Sequence, residues 1–117
     1  MDNFTKSYIA TALWSSTDNS DASGGDPLDD NYGIDDLSPE TLASLIADCQ
    51  AFQQDHSKDI AGYLEQAGHD FWLTRNGHGA GFWDGDWDED IGEKLTEASD
   101  AFGSVDLYVG DDGLIYS

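Results

Sequence analysis

The residues with the greatest chemical potential in this chain are carboxylates, and they crowd into one run, Asp84-Gly85-Asp86-Trp87-Asp88-Glu89-Asp90. Oxygen ligands at alternate positions are how a calcium loop begins. Counted from Asp86, the carboxylates of Asp86, Asp88 and Asp90 take the first, third and fifth places and Glu97 the twelfth. The sixth place, where the sharp turn of the loop requires glycine, holds Ile91; the glycine comes one residue late, at Gly92. Glu93 stands at the eighth place, where an apolar residue belongs. Asp86, Asp88, Asp90 and Glu97 are therefore a near miss for a metal site. Adventitious Ca²⁺ or Mg²⁺ binding is expected of so acidic a run; a dedicated site and a cofactor are not.

Catalytic constellations are weaker still. His56, His69 and His78 lack the His-x-x-x-His spacing of a metal pair. A chain this rich in Asp contains His–Asp neighbours by composition alone. The stretch Asn76 to Gly81 is rich in glycine but lacks the Gly-Lys-Ser/Thr ending of a phosphate loop, and a nucleotide would meet a repulsive field. Arg75, the only arginine, is read as a tie between a hairpin and an acidic neighbour. Cys49 falls on an apolar helix face and reads as a small core residue. No catalytic residue is expected, and the protein is read as a non-enzyme.

The placement of the acids carries more information. If Asp84, Asp86 and Asp88 are extended, their side chains project to one side about 6.6 Å apart. On a following helix, Glu89, Glu93, Glu97 and Asp100 repeat at about 5–6 Å. Duplex DNA presents one negative charge per ~1.7 Å of axis over both strands. Rows of carboxylates at such separations resemble a nucleic-acid backbone to a protein that reads backbone charge. Trp87, inside the run, is an aromatic anchor if exposed and a packed neighbour of Trp72 and Trp83 if not. The acids are concentrated at 18–36 and 84–100, whereas 60–83 carries only Glu65 and Asp70, which argues against the even decoration of a salt-adapted surface.

These groups are held by a chain of 117 residues with 4 Lys+Arg against 25 Asp+Glu, a formal charge of −21. One domain is expected at this length. With 38% hydrophobic and 12% aromatic residues it has enough apolar material for a core. The charge excludes direct binding of DNA, RNA or anionic lipid. No apolar run reaches the ~18 residues of a membrane span, and MDNFTKSYIATALW does not read as a leader. A lone Cys49 fits a reducing cytoplasm.

Periodicity predicts a helix over 3–14 that offers Phe4, Tyr8, Ile9, Ala12 and Leu13, then an acidic, flexible loop over 15–37 in which Leu28, Tyr32, Ile34 and Leu37 are the pinning residues. Ser38 and Pro39 open a second helix over 39–67, with a bend near His56-Ser57 or Gly62, a cap at Gly68, and Asp48, Asp55 and Asp59 on its watery face. Phe71–Thr74 and Phe82-Trp83 read as a hairpin, 88–102 as a third helix ended by Gly103, and 105–109 with 114–116 as a second hairpin. The expected class is α+β, a small antiparallel sheet of two hairpins packed with about three helices, in the order α-α-β-β-α-β-β.

The stretch His69-Asp-Phe-Trp-Leu-Thr-Arg-Asn-Gly-His-Gly-Ala-Gly-Phe-Trp-Asp84, with Asp-Leu-Tyr-Val-Gly-Asp-Asp-Gly-Leu-Ile-Tyr at 106–116, resembles a family of small acidic proteins of bacterial viruses and mobile elements. That resemblance implies a setting and carries no mechanism. In size and charge the chain is also similar to viral DNA-mimic inhibitors: anti-restriction proteins, acidic anti-CRISPR proteins and the uracil-DNA glycosylase inhibitor. This similarity is one of composition and transfers no functional residue.

The expected function is that of an acidic DNA mimic that binds and inhibits a host nucleic-acid-binding protein or defence enzyme. Its partner would be a basic DNA- or RNA-binding host protein, met in the host cytoplasm, with no membrane and no nucleic acid bound directly. Its main array would be Asp84, Asp86, Trp87, Asp88, Glu89, Asp90, Glu93, Glu97 and Asp100, and Asp26, Asp29, Asp30, Asp35 and Asp36 would extend it. The oligomeric state stays open, a dimer included. The alternatives are a calcium-binding acidic module and a halophilic or accessory protein without catalytic function.

Overall fold

A computed structural model describes residues 1–18, 25–78, 80–83 and 87–117. Helix α1 spans Asn3–Ser15 and is opened by Asp2, whose carboxylate accepts a hydrogen bond from the Thr5 N–H at 2.7 Å. The apolar residues expected of this helix, Phe4, Tyr8, Ile9, Ala12 and Leu13, are all buried. The chain then forms a strand pair, β1 (Thr17–Asp18) antiparallel to β2 (Asp26–Pro27), and two 3-10 turns, Leu28–Asp30 and Ile34–Asp36. Leu28 and Leu37 enter the core and Tyr32 packs against it, while Ile34 stays exposed.

Helix α2 spans Pro39–Ile60. The Ser38 hydroxyl caps it by accepting from the Thr41 N–H at 3.1 Å, and proline occupies the first turn, as the sequence predicts. The backbone leaves helical geometry at His56 (φ −128°, ψ 20°), and the helix stops at Ile60. Gly62, at φ +84°, supplies the left-handed residue that turns the chain into α3, Leu64–Arg75. Helix α4 covers Glu89–Ala101. The end is a short hairpin of β3 (Tyr108–Val109) and β4 (Ile115–Tyr116), docked beside α2 by the bond from Ser38 N–H to the Ile115 carbonyl at 2.9 Å.

Among the described residues the class is thus mostly helical, with four α-helices and two minor two-stranded pairs, and not the α+β order α-α-β-β-α-β-β. The error is localised. The single helix expected over 39–67 is two helices, and Phe71–Thr74, expected as a strand, is the second half of α3. From Ala67 to Arg75 every residue of α3 but His69 is buried. A helix covered on all sides shows no apolar stripe, so its aromatic run imitates a strand. Gly68, expected as a cap, lies inside α3 and is buried.

One core joins the four helices. Phe52 of α2 is its centre, stacked on Phe71 at 4.3 Å and on Phe4 and Phe82 at 5.7 Å each. Phe102 closes the cluster edge-on to Phe71 at 5.1 Å. Helix α1 packs mainly on α3, and α4 packs on α3 and α2. Among the described residues, no helix is long and apolar enough to cross a membrane.

Candidate functional site

The structure places the described acids of the main array on a single element. Asp88 precedes α4, Glu89 and Asp90 fill its first turn, and Glu93, Glu97 and Asp100 follow; all six are exposed. At 100° per residue, the five from Glu89 to Asp100 fall within an arc of roughly 100° and span about 17 Å of axis. The opposite side of the helix buries Gly92, Leu95 and Ser99 and rests Ile91 and Ala98 on the core. Asp84 and Asp86 lie outside the described residues.

Lys94 lies on the same helix as these acids, but its ammonium is drawn to Asp59 of α2 at 2.8 Å. Arg75 is bonded to Asp48 at 2.8 Å. Two of the chain's few cations are therefore engaged internally. Asp48 and Asp59, expected on a watery face, are partly covered by these pairs, with side chains 31% and 21% exposed. Arg75 does tie to an acidic neighbour, though from α3 and not from a hairpin.

Trp87 is half-buried. Its indole N–H donates to the buried Asp70 carboxylate at 2.8 Å, and its ring meets Phe82 edge-on at 5.3 Å and Tyr63 at 5.9 Å. Phe82 and Tyr63 are thus ring neighbours that the sequence did not suggest. Asp70 also accepts from the Gln66 amide at 3.0 Å. Sequence reasoning missed this clamp, because nothing in the spacing of Asp70 and Trp87 announces it.

The second acidic group sits elsewhere. Asp26 belongs to β2, Asp29 and Asp30 to the first 3-10 turn, and Asp35 and Asp36 to the second. Asp36 is committed locally, since its carboxylate accepts from the Gly33 N–H at 2.8 Å. The first 3-10 turn packs on α1, whereas α4 packs on α3 and α2, so the two groups stand on different elements of the fold. For the metal set, Asp90 and Glu97 are about 10 Å apart along α4, and among the described residues no three His, Cys, Asp or Glu side chains gather around a common point.

Cys49, His69 and His56 are tied into the packing of the helices. Cys49 is fully buried, and burial pushes its thiol up to about 12. His69 meets the Thr11 hydroxyl at 3.0 Å and stacks with Trp14. His56 sits at the α2 kink against Phe52, ring centroids 4.7 Å apart, with Nδ1 buried and without a hydrogen-bond partner among the described residues. Burial and the nearby Lys94 lower its pKa from 6.5, against an opposite pull from Asp55 and Asp59. Folding thus prefers the neutral ring: the contribution is present above pH ~6.5 and is lost as pH falls through the lowered folded value. Wild type should therefore lose more of its urea midpoint between pH 7.5 and 5 than His56→Gln does. Equal losses would contradict this sign.

No protein-family model matches the chain, and no curated protein and no solved structure is significantly similar to it.

Proposed function

We propose that the protein binds the nucleic-acid-binding surface of a basic host protein and inhibits it, with the acid stripe of α4 standing in for a phosphate backbone. The setting in this reading is the one that the sequence resemblance implies, a bacterial virus or mobile element acting on a host enzyme. The observation that carries the reading is that the stripe is set against the stability of its own helix. Carboxylates in the first turn of α4 suit the positive end of the helix dipole, but Glu97 and Asp100 lie toward the negative end, and the last turn has no basic residue. Glu89, Glu93 and Glu97 also repel each other at spacings of four. A helix serving only the fold would alternate sign here. Repulsion retained on a well-anchored helix suits a surface whose compensating charges arrive with a partner.

The triple variant Glu93→Gln, Glu97→Gln, Asp100→Asn tests this. Three exposed ion pairs at ~0.2–1 kcal/mol each predict a ~3- to 100-fold loss of affinity at low salt. The melting temperature should hold or rise. Wild type immobilised in host lysate should retain a basic protein that duplex DNA elutes, and the triple variant should retain much less. Retention that is indifferent to DNA, to added salt and to the triple substitution would overturn the proposal.

A further inference from the structure

Beside the acid stripe lies an aromatic groove of about 560 Å³, lined among the described residues by Phe82, Trp83, Trp87, Gly92 and Thr96, with Glu89, Glu93 and Glu97 on its α4 rim and Asp88 at its end. Its depth comes from Gly92: a Cβ there would stand 2.6 Å from the Phe82 carbonyl oxygen, so only glycine lets α4 lie this close to the 80–83 segment. Its floor is held in place. Phe82 is buried in the core stack, and Trp87 is fixed by the bond to Asp70 and by its contact with Phe82. Trp83, by contrast, is 56% exposed. A large indole left in water at the lip of a groove rimmed by carboxylates presents a π-face and negative charge to the same visitor.

We propose that this groove receives an arginine side chain of the basic partner. The inference rests on the reading of α4 as the partner-facing surface, and adds the chemistry that surface selects. A guanidinium is planar and weakly hydrated, stacks on aromatic faces and donates paired hydrogen bonds to carboxylates. The lysine ammonium is compact and strongly hydrated, and gains less from an indole. Lys94, the cation nearest in sequence to the rim, is held by Asp59 and leaves the groove to an outside charge. Cation–π stacking here predicts a ~2- to 30-fold preference for arginine over lysine at equal charge.

The probes are two blocked peptides of equal length and charge, one with arginines spaced by glycine and the other with lysines, titrated into the full chain with the indole N–H resonances as readout. The arginine peptide should bind more tightly and shift the Trp83 and Trp87 signals. Trp83→Ala, and Trp83→Leu, which keeps an apolar side chain without a π-face, should remove the preference. Trp14→Ala, at the exposed indole of α1, should not. Equal binding of both peptides, unaffected at Trp83 but weakened by the triple charge variant, would overturn the groove and leave the acidic face standing. If neither peptide bound, both readings would be overturned.

Discussion

Replacing Arg75 with alanine should destabilise the protein by about 3–5 kcal/mol, the range for removing one partner of a buried charged cluster. For a domain of this size that lowers the melting temperature by on the order of 10 °C or more. The Arg75 side chain is 3% exposed, and its guanidinium is engaged on every side. Nη1 donates to the Tyr8 hydroxyl at 3.0 Å and to Asp48 at 2.8 Å, Nε to the Gly103 carbonyl at 2.7 Å, and Nη2 to the Phe102 carbonyl at 3.0 Å. The rings of Phe71 and Phe102 lie 5.4 and 5.5 Å from its centre. Asp48 keeps water access, so the ion pair itself is the smaller part. The larger part is the pair of carbonyls at the end of α4 and the Tyr8 hydroxyl, which lose their donor where water replaces it poorly. Lysine should not rescue, because a point charge cannot address acceptors in four directions. Urea denaturation checks it: Arg75→Lys within ~1 kcal/mol of wild type would refute the four-way role.

Arg75 also bears on the proposed function. By gripping Phe102 and Gly103 it fixes the end of α4 at which Glu97 and Asp100 are displayed. Part of what positions the acid stripe is thus a residue buried beneath it.

How far the sequence revealed this arrangement depended on how each helix meets water. α1, α2 and α4 each have a wet face and an apolar face, and α2 is opened by the cap Ser38, so pattern, and for α2 the capping rule, locate them. The carboxylates of α4 were legible for the same reason: a stripe at spacings of three and four is a surface property of one helix. α3 was not legible. Its burial erases the period, its Phe71-Trp72 pair looks like strand, and its buried Asp70 looks like a surface residue. Phe52, the hub of the core, went unnoticed among the apolar positions of α2 because its weight comes from Phe4, Phe71 and Phe82, all distant in sequence. The groove at Trp83 and Trp87 escaped for a related reason, since it exists only where α4 crosses the 80–83 segment.

Gly68→Ala should destabilise the protein by at least ~2 kcal/mol, although alanine is intrinsically the better helix residue by ~1 kcal/mol. A Cβ on Gly68 would stand 2.1 Å from the Phe4 carbonyl oxygen and 3.1 Å from the Tyr8 nitrogen. These are backbone atoms of α1, which cannot swing aside as a side-chain tip can. Nor is α1 free to retreat from α3, because the two are stitched at three levels. The Ser7 hydroxyl donates to the Glu65 carbonyl at 2.6 Å, Thr11 meets His69 at 3.0 Å, and the Trp72 indole N–H donates to the Ser15 hydroxyl at 2.7 Å. Moving α1 out by the needed ångström would strain that ladder and open space beside Phe4 and Phe71, whose rings are 5.9 Å apart. Gly33→Ala is the control, since a Cβ there meets nothing within 4 Å. If Gly68→Ala proved more stable than wild type, propensity would have won and the close crossing of α1 on α3 would be wrong. Because α3 is the platform for both α1 and α4, the same variant should weaken the proposed partner-facing surface only as far as it unfolds the chain, leaving affinity per folded molecule unchanged.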